Sequence, residues 1–204
     1  TYADQAKVLG EEFEKLLKAN KVDAKCIEVQ GSLADINAVN RTNEFKKLDD
    51  ANDNLSIVAR IPSEWNPELV LSGLTDALRA HPEANCLLLA SDWAIDAVQA
   101  AAEKFDKWHP AGDPKHVWIA SNDLLTSAIT AMEKGYIDVS VTWDAQSHAK
   151  EAVRVLLDRL QPASRQQRPG TRGLDRFDRA DRLDQDRLLE EAFIQRTSGQ
   201  PVER

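Results

Sequence analysis

Seven side chains in this 204-residue sequence have types and positions suited to recognition chemistry. Arg41 supplies a planar fork of donors, Asp92 and Asp123 supply carboxylate acceptors, and Asn37 and Ser91 supply small amide and hydroxyl groups. Trp65 and Trp143 add flat aromatic faces. A carbohydrate asks for this mixture, because its hydroxyls pair with guanidinium and carboxylate while its C–H faces lie on a ring. Each residue also has a plainer reading. Arg41 reads equally as a solvated helix arginine and Trp65 as a lid on the core; Trp143 reads equally as strand core. Asp123, Ser91 and Asp92 read equally as caps of the helices that follow them.

The sequence is poor in the signatures of catalysis. It has no Gly-x-Gly-x-x-Gly turn after its first strand and no phosphate-cradling Gly-x-x-x-x-Gly-Lys loop. It has no Gly-x-Ser-x-Gly elbow either. The four histidines lie away from the carboxyl ends of the strands, and His109, His116 and His148 read as surface residues. Recognition without an enzyme activity is the expectation, with no cofactor and no metal.

The elements that must position these groups alternate regularly over residues 1–160. "QAKVLGEEFEKLLKA" has helical spacing, and "AKCIEVQG" reads as a buried strand. "INAVNRTNEFKKLDD" is a helix and "LSIVARI" a second strand. "PELVLSGLTDALRAH" is a helix with Pro67 in its first turn, where the missing N–H costs nothing. "NCLLLAS", "HVWIAS" and "YIDVSVTW" are further strands, separated by the helices "AIDAVQAAAEKF" and "LLTSAITAMEKG", and "SHAKEAVRVLLDRL" is a last helix. Strands that are apolar throughout, each followed by a helix, imply an α/β fold: a doubly wound, Rossmann-like, five-stranded parallel sheet with helices on both faces. In such sheets ligands bind beyond the carboxyl ends of the strands, which is where all seven candidate residues fall.

Composition narrows the function further. With 26 basic and 34 acidic side chains the net charge is −8, which argues against a nucleic-acid surface. No run of eighteen apolar residues is available to span a membrane. Cys26 and Cys86 lie in apolar strand-like runs and read as small buried residues rather than as a disulfide. After Leu160 the composition changes: residues 1–160 contain twelve lysines and five arginines, whereas residues 161–204 contain nine arginines and no lysine. That tail is expected to be partly disordered or a loose charged helix.

The ordered series of segments resembles the carboxy-terminal half of the ribose-type periplasmic sugar-binding proteins, the solute receptors of ABC transporters. "AKCIEVQGSLADINAVNRTNEFKKL", "AHPEANCLLLASDWAIDAV" and "SNDLLTSAITAMEKGYIDVSVTW" carry the likeness, which runs from about Tyr2 to Leu160. The resemblance implies one lobe of a two-lobed type I fold, with sugar contacts at Arg41, Trp65, Ser91, Asp123 and Trp143. Asn37 and Asp92 are further candidates. Ser91 stands where the family has Asn, and Trp143 where it has Gln, which would favour a less hydroxylated or bulkier ligand.

The resemblance divides the chain into a sugar-binding lobe at 1–144, a helix of the other lobe at 145–160, and a non-family tail at 161–204. It implies a partial receptor, with most of the amino-terminal lobe lacking, and weak or undetectable sugar binding by this chain alone. The implied partners are a monosaccharide and the membrane permease of an ABC transporter, with no nucleic acid. Self-association through the uncovered lobe surface is expected as well. The implied location is periplasmic, or extracellular and membrane-tethered. A sugar-responsive transcription repressor of the same fold is the alternative.

Overall fold

A computed structural model describes residues 2–143, 145–160 and 193–196 of the chain. The helices are α1 (Tyr2–Ala19), α2 (Ile36–Ala51), α3 (Pro67–Ala80), α4 (Ile95–Glu103), α5 (Thr126–Glu133) and α6 (Ala145–Leu160). The strands are β1 (Ala24–Gln30), β2 (Leu55–Pro62), β3 (Cys86–Leu89), β4 (Trp118–Asn122), β5 (Val139–Thr142) and β6 (Phe193–Arg196). Two units divide them: residues 1–142 with 194–204 form the first, and residues 143–193, containing α6, form the second.

Strand order in the sheet is β2-β1-β3-β4-β5-β6. The β1–β2, β1–β3, β3–β4 and β4–β5 pairs are all parallel. The chain winds outward from β1 to β2 and then back past β1 to β3, so the winding reverses between β1 and β3. A doubly wound sheet opens its crevice at that reversal, at the carboxyl ends of the two strands. The expected five-stranded parallel sheet is therefore present. One difference is an added edge: Phe193–Arg196, which the sequence suggested as part of a charged helix or disordered tail, is a strand. The rest of the arginine-rich tail lies outside the described residues.

Two apolar layers hold the helices to the sheet. Leu9, Phe13 and Leu17 recur every fourth residue on α1 and are fully buried against Cys26, Leu88, Val139 and Val141. Phe45 and Leu48 of α2 join the same layer. On the opposite face, Val70, Leu74 and Leu78 of α3 pack with Val98 of α4 and Met132 of α5 over Ile27, Val29, Leu87, Leu89 and Ile119. Each such side chain contributes roughly 1.5–3 kcal/mol by leaving water.

Local signals fix the entries to the helices. Asn66 caps α3 through the Glu68 N–H, with Pro67 in the first turn, and Asp35 caps α2 through the Asn37 N–H. Pro62 ends β2, an edge strand, where a missing donor leaves no ladder bond unmade.

The cysteines correct the sequence-based expectation. Cys26 and Cys86 form a disulfide across register partners of β1 and β3, and neither is exposed. They are small and buried, as expected, but not free thiols.

Candidate functional site

Arg41 lies on the inward stripe of α2, between Ala38 and Phe45, and is only 3 % exposed. A solvated helix arginine is thus excluded. A buried guanidinium must be paired to be tolerated, and this one is paired through all its terminal hydrogens. Nη1 donates to the Ala90 carbonyl at 2.5 Å and to Asp123 Oδ2 at 3.1 Å. Nη2 donates to Asp123 Oδ1 at 2.6 Å and to Gln5 Oε1 at 3.1 Å. The Arg41–Asp123 contact is a two-armed fork, the strong geometry for this pair. Arg41 Nε is the one donor of this guanidinium with no partner among the described residues. The Tyr2 ring lies 5.0 Å from the guanidinium carbon.

Topology explains the location. Arg41 reaches from α2, the helix after β1, to Ala90, the residue after β3, and so bridges the crevice where the winding reverses. Asp123 reaches the same point from the end of β4. It does so on a strained backbone, since Asp123 and Leu124 have φ of 89° and 52°. Non-glycine residues in the left-handed region cost free energy and cluster where function requires a particular side-chain direction. Asp123 does not cap α5, the plainer reading of its position; that helix starts after Leu125 without a side-chain cap.

The α5 entry is held by Asp92 instead. Its carboxylate accepts from the Leu124 N–H at 2.9 Å, the Leu125 N–H at 3.1 Å and the Ser121 hydroxyl at 3.1 Å. Asp92 is 0 % exposed. Burial pushes its pKa up to about 6; the donated hydrogen bonds oppose this, and the Asp123 charge adds to it.

Trp65 stands on the same edge, after β2, again on a left-handed backbone: Glu64 and Trp65 have φ of 51° and 56°. Its indole N–H donates to Asp35 Oδ2 at 3.1 Å, and its ring meets Trp93 edge-to-face at 5.2 Å. Of the six non-glycine residues with positive φ among the described residues, four flank this edge. Glu64, beside Trp65, accepts from the Ser32 hydroxyl of the β1–α2 loop.

The remaining candidates are placed differently. Ser91 is buried and its hydroxyl accepts from the Trp93 N–H at 3.4 Å. Asn37 is half-buried in the first turn of α2. Trp143 follows β5 directly, is half-buried, and opens the second unit. The first unit therefore brings Arg41 and Asp123 into direct contact and sets Trp65, Ser91, Asp92 and Asn37 on the same edge.

Four residues outside the predicted contact set also shape the site: Gln5, Gly31, Asp35 and Trp93. Chain position places Asp35 and Trp93 on this edge, after β1 and β3, and Gln5 carried a signal, a polar side chain one turn before Leu9 on the inward stripe of α1. The seat of Trp65 on Gly31 is packing that no spacing announces. His116 also departs from expectation. Its side chain is nearly buried, on the opposite edge, and binds Asp138 at 3.0 Å.

The exposed large apolar side chains of the first unit share this edge as well. Tyr2, Leu33, Ile36, Leu69, Leu125 and Ile129 lie at the starts of α1, α2, α3 and α5 or in the loops leading into them, with Ile36 exposed by 66 %. Among the described residues no helix is long and apolar enough to cross a membrane.

A family described as a periplasmic binding protein domain matches residues 2–164. No curated protein sequence matches the chain. Solved structures share the fold at low identity. An ABC transporter periplasmic solute-binding protein from Actinobacillus succinogenes, with bound D-allose, superposes with a TM-score of 0.67 at 18% identity, covering 85% of this chain and 58% of that one. One from Bacillus halodurans, with bound myo-inositol, gives 0.63 at 20% identity over 76% of this chain and 52% of that one. A third, from Burkholderia graminis in complex with D-arabinose, gives 0.63 at 21% identity over 84% of this chain and 56% of that one. The chain thus spans about half the length of the structures it resembles.

Proposed function

This chain belongs to the periplasmic binding protein family, and on that premise we propose that it is a sugar-binding lobe of an ABC transporter solute receptor, binding without catalysis. One observation carries the reading: the buried Arg41–Asp123 fork lies at the sheet's winding reversal, on the edge where Trp65 stands. Held in place by Arg41, the Asp123 carboxylate offers acceptor lone pairs to adjacent hydroxyls, and the indole offers a face for C–H groups. The two lone-pair-rich oxygens of Asp123 remain the accessible half of the fork, with that side chain 27% exposed.

The ligand set of the first unit in this reading is Arg41, Trp65, Ser91 and Asp123, with Asn37 as a further contact. The bound D-allose, myo-inositol and D-arabinose of the similar structures support a small polyhydroxylated ligand. The exposed Tyr2, Leu33, Ile36, Leu69, Leu125 and Ile129 on this edge support its being covered in the working assembly, because exposed apolar groups gathered on one edge mark interaction surfaces. An opposing lobe and a membrane permease are the partners that fit. Exposed Val153, Leu156 and Leu157 on α6 are the residues through which self-association is expected. The Cys26–Cys86 disulfide supports an extracytoplasmic location and weighs against a cytoplasmic repressor, since such bonds persist in oxidising compartments.

Chemical-shift mapping with D-allose, D-arabinose and myo-inositol at millimolar concentration tests the reading. Saturable shifts at Trp65, Asp123 and the Arg41 guanidinium are the expected result. Shifts confined to other surfaces, or none with any of the three, would overturn it.

A further inference from the structure

Asp92 has no exposure to a ligand, yet its carboxylate is fully engaged with the loop that carries Asp123. The geometry around it is closed. Ser121 donates its one hydroxyl hydrogen to Asp92 and accepts from the Ser140 hydroxyl at 3.0 Å, while the Asp92 N–H donates to the Asn122 carbonyl at 3.0 Å. The two ends of Asp92 therefore grip the chain on both sides of Asp123: the N–H before it at Asn122, the carboxylate after it at Leu124 and Leu125. Between those grips the backbone runs through two consecutive left-handed residues. Such a conformation persists only where surrounding contacts over-determine it. The Asp123 N–H, bonded to the Val141 carbonyl at 2.8 Å, and its carbonyl, accepting from the Thr142 hydroxyl at 2.8 Å, complete the clamp.

We propose that Asp92 is a positioning residue: its ionised carboxylate holds the Asp123–Leu124 loop in the conformation that turns Asp123 onto Arg41, and so sets the binding fork. The proposal rests on the sugar-receptor reading above only for what the fork binds. It makes the fork dependent on a group the ligand never touches. An amide in place of this carboxylate would keep one acceptor oxygen, but its NH2 would oppose the N–H of Leu124 or Leu125.

The test is amide hydrogen exchange at Leu124 and Leu125, with the Arg41 side-chain N–H signals, in the wild-type full chain and in Asp92→Asn at pH 7.5. Protection of both amides is expected to be about tenfold lower in the variant, with its Arg41 signals broadened. Full protection in the variant would overturn the proposal. Asp92→Ser, for which the same loss of protection is expected, decides should Asp92→Asn fail to fold. Sugar binding is read in parallel with D-allose, D-arabinose and myo-inositol. A probe that binds wild type at pH 7.5 should bind Asp92→Asn at least fivefold more weakly, and equal affinity counts against the proposal. Failure of all three probes to bind wild type counts against the sugar reading, and the exchange data then decide the role of Asp92.

Discussion

The Trp65 indole occupies the space that a Cβ on Gly31 would fill, with ring carbons 2.2 and 2.3 Å from that position. Gly31 ends the β1 segment, so the bare backbone at the tip of one strand is the seat of the aromatic ring delivered by the next. Glycine is required here by the approach of the ring rather than by its own backbone angles. Gly31→Ala is expected to push the indole off its seat and break the Trp65–Asp35 hydrogen bond, costing roughly 1–3 kcal/mol. Urea unfolding with tryptophan emission as the readout checks this. Trp65→Ala in the same chain should recover most of the loss, because the two changes act on one contact.

The Arg41–Asp123 fork predicts an asymmetric cycle. Removing Asp123 leaves a guanidinium that is 3% exposed with only the Ala90 carbonyl and Gln5 as acceptors. Orphaning one member of a buried pair costs about 3–5 kcal/mol, whereas replacing both members by apolar groups is often close to neutral. Asp123→Ala is therefore expected to destabilise by about 3 kcal/mol, and Arg41→Met with Asp123→Ala by less than that single change. Chemical denaturation of the four chains measures the coupling. A double variant as unstable as the sum of the singles would show that the fork holds nothing together.

Much of the architecture is legible in the sequence because buried parallel strands are apolar throughout, and "CLLL" or "VSVT" admits few other fates once flanked by helical stretches. The candidate edge is legible for the same reason: a residue just after a strand must lie at the carboxyl rim. Partnership across the rim is not. Arg41 and Asp123 are 82 positions apart, and spacing places both on one edge without saying that they bind each other. Cys26 and Cys86 are hidden more deeply, since they meet only because β3 returns to the side of β1 opposite β2, and chain order does not reveal that step. Asp92 looked like a ligand because a carboxylate after a strand reads the same whether it faces solvent or ties down the neighbouring loop.

The disulfide predicts a dependence on oxidation. It closes a loop of 60 residues, and in the chain-entropy view such a link stabilises by about 4 kcal/mol. Cys26→Ala with Cys86→Ala is expected to lower the thermal midpoint markedly, and reductant should lower that of the wild type toward the same value. Because both cysteines are fully buried, alkylation should require reductant and denaturant together. A folded wild-type chain that alkylates without reductant would show the thiols to be free.

Buried titrating groups set the pH of greatest stability, and here they point toward mild acid. Burial raises Asp92 to about 6, and it also raises Glu28, whose bonds from Thr42 and Arg60 only partly offset the desolvation. Burial pulls His116 down, but the Asp138 hydrogen bond and charge outweigh it, so this imidazole ends above its usual value. All three groups bind protons more tightly in the folded chain than in the unfolded one, so stability is lost as pH rises. For Asp92 the loss begins near the unfolded carboxyl pKa of 3.8 and ends above about 6, for a total of about 3 kcal/mol. The His116 contribution disappears at higher pH, above 6.5. Thermal unfolding at constant ionic strength should therefore give a higher midpoint at pH 5 than at pH 8. Asp92→Asn should flatten the lower part of that profile, and His116→Gln the upper part. A midpoint that rises steadily from pH 5 to pH 8 would mean that these three groups are solvated in the folded chain, not buried as the structure has them.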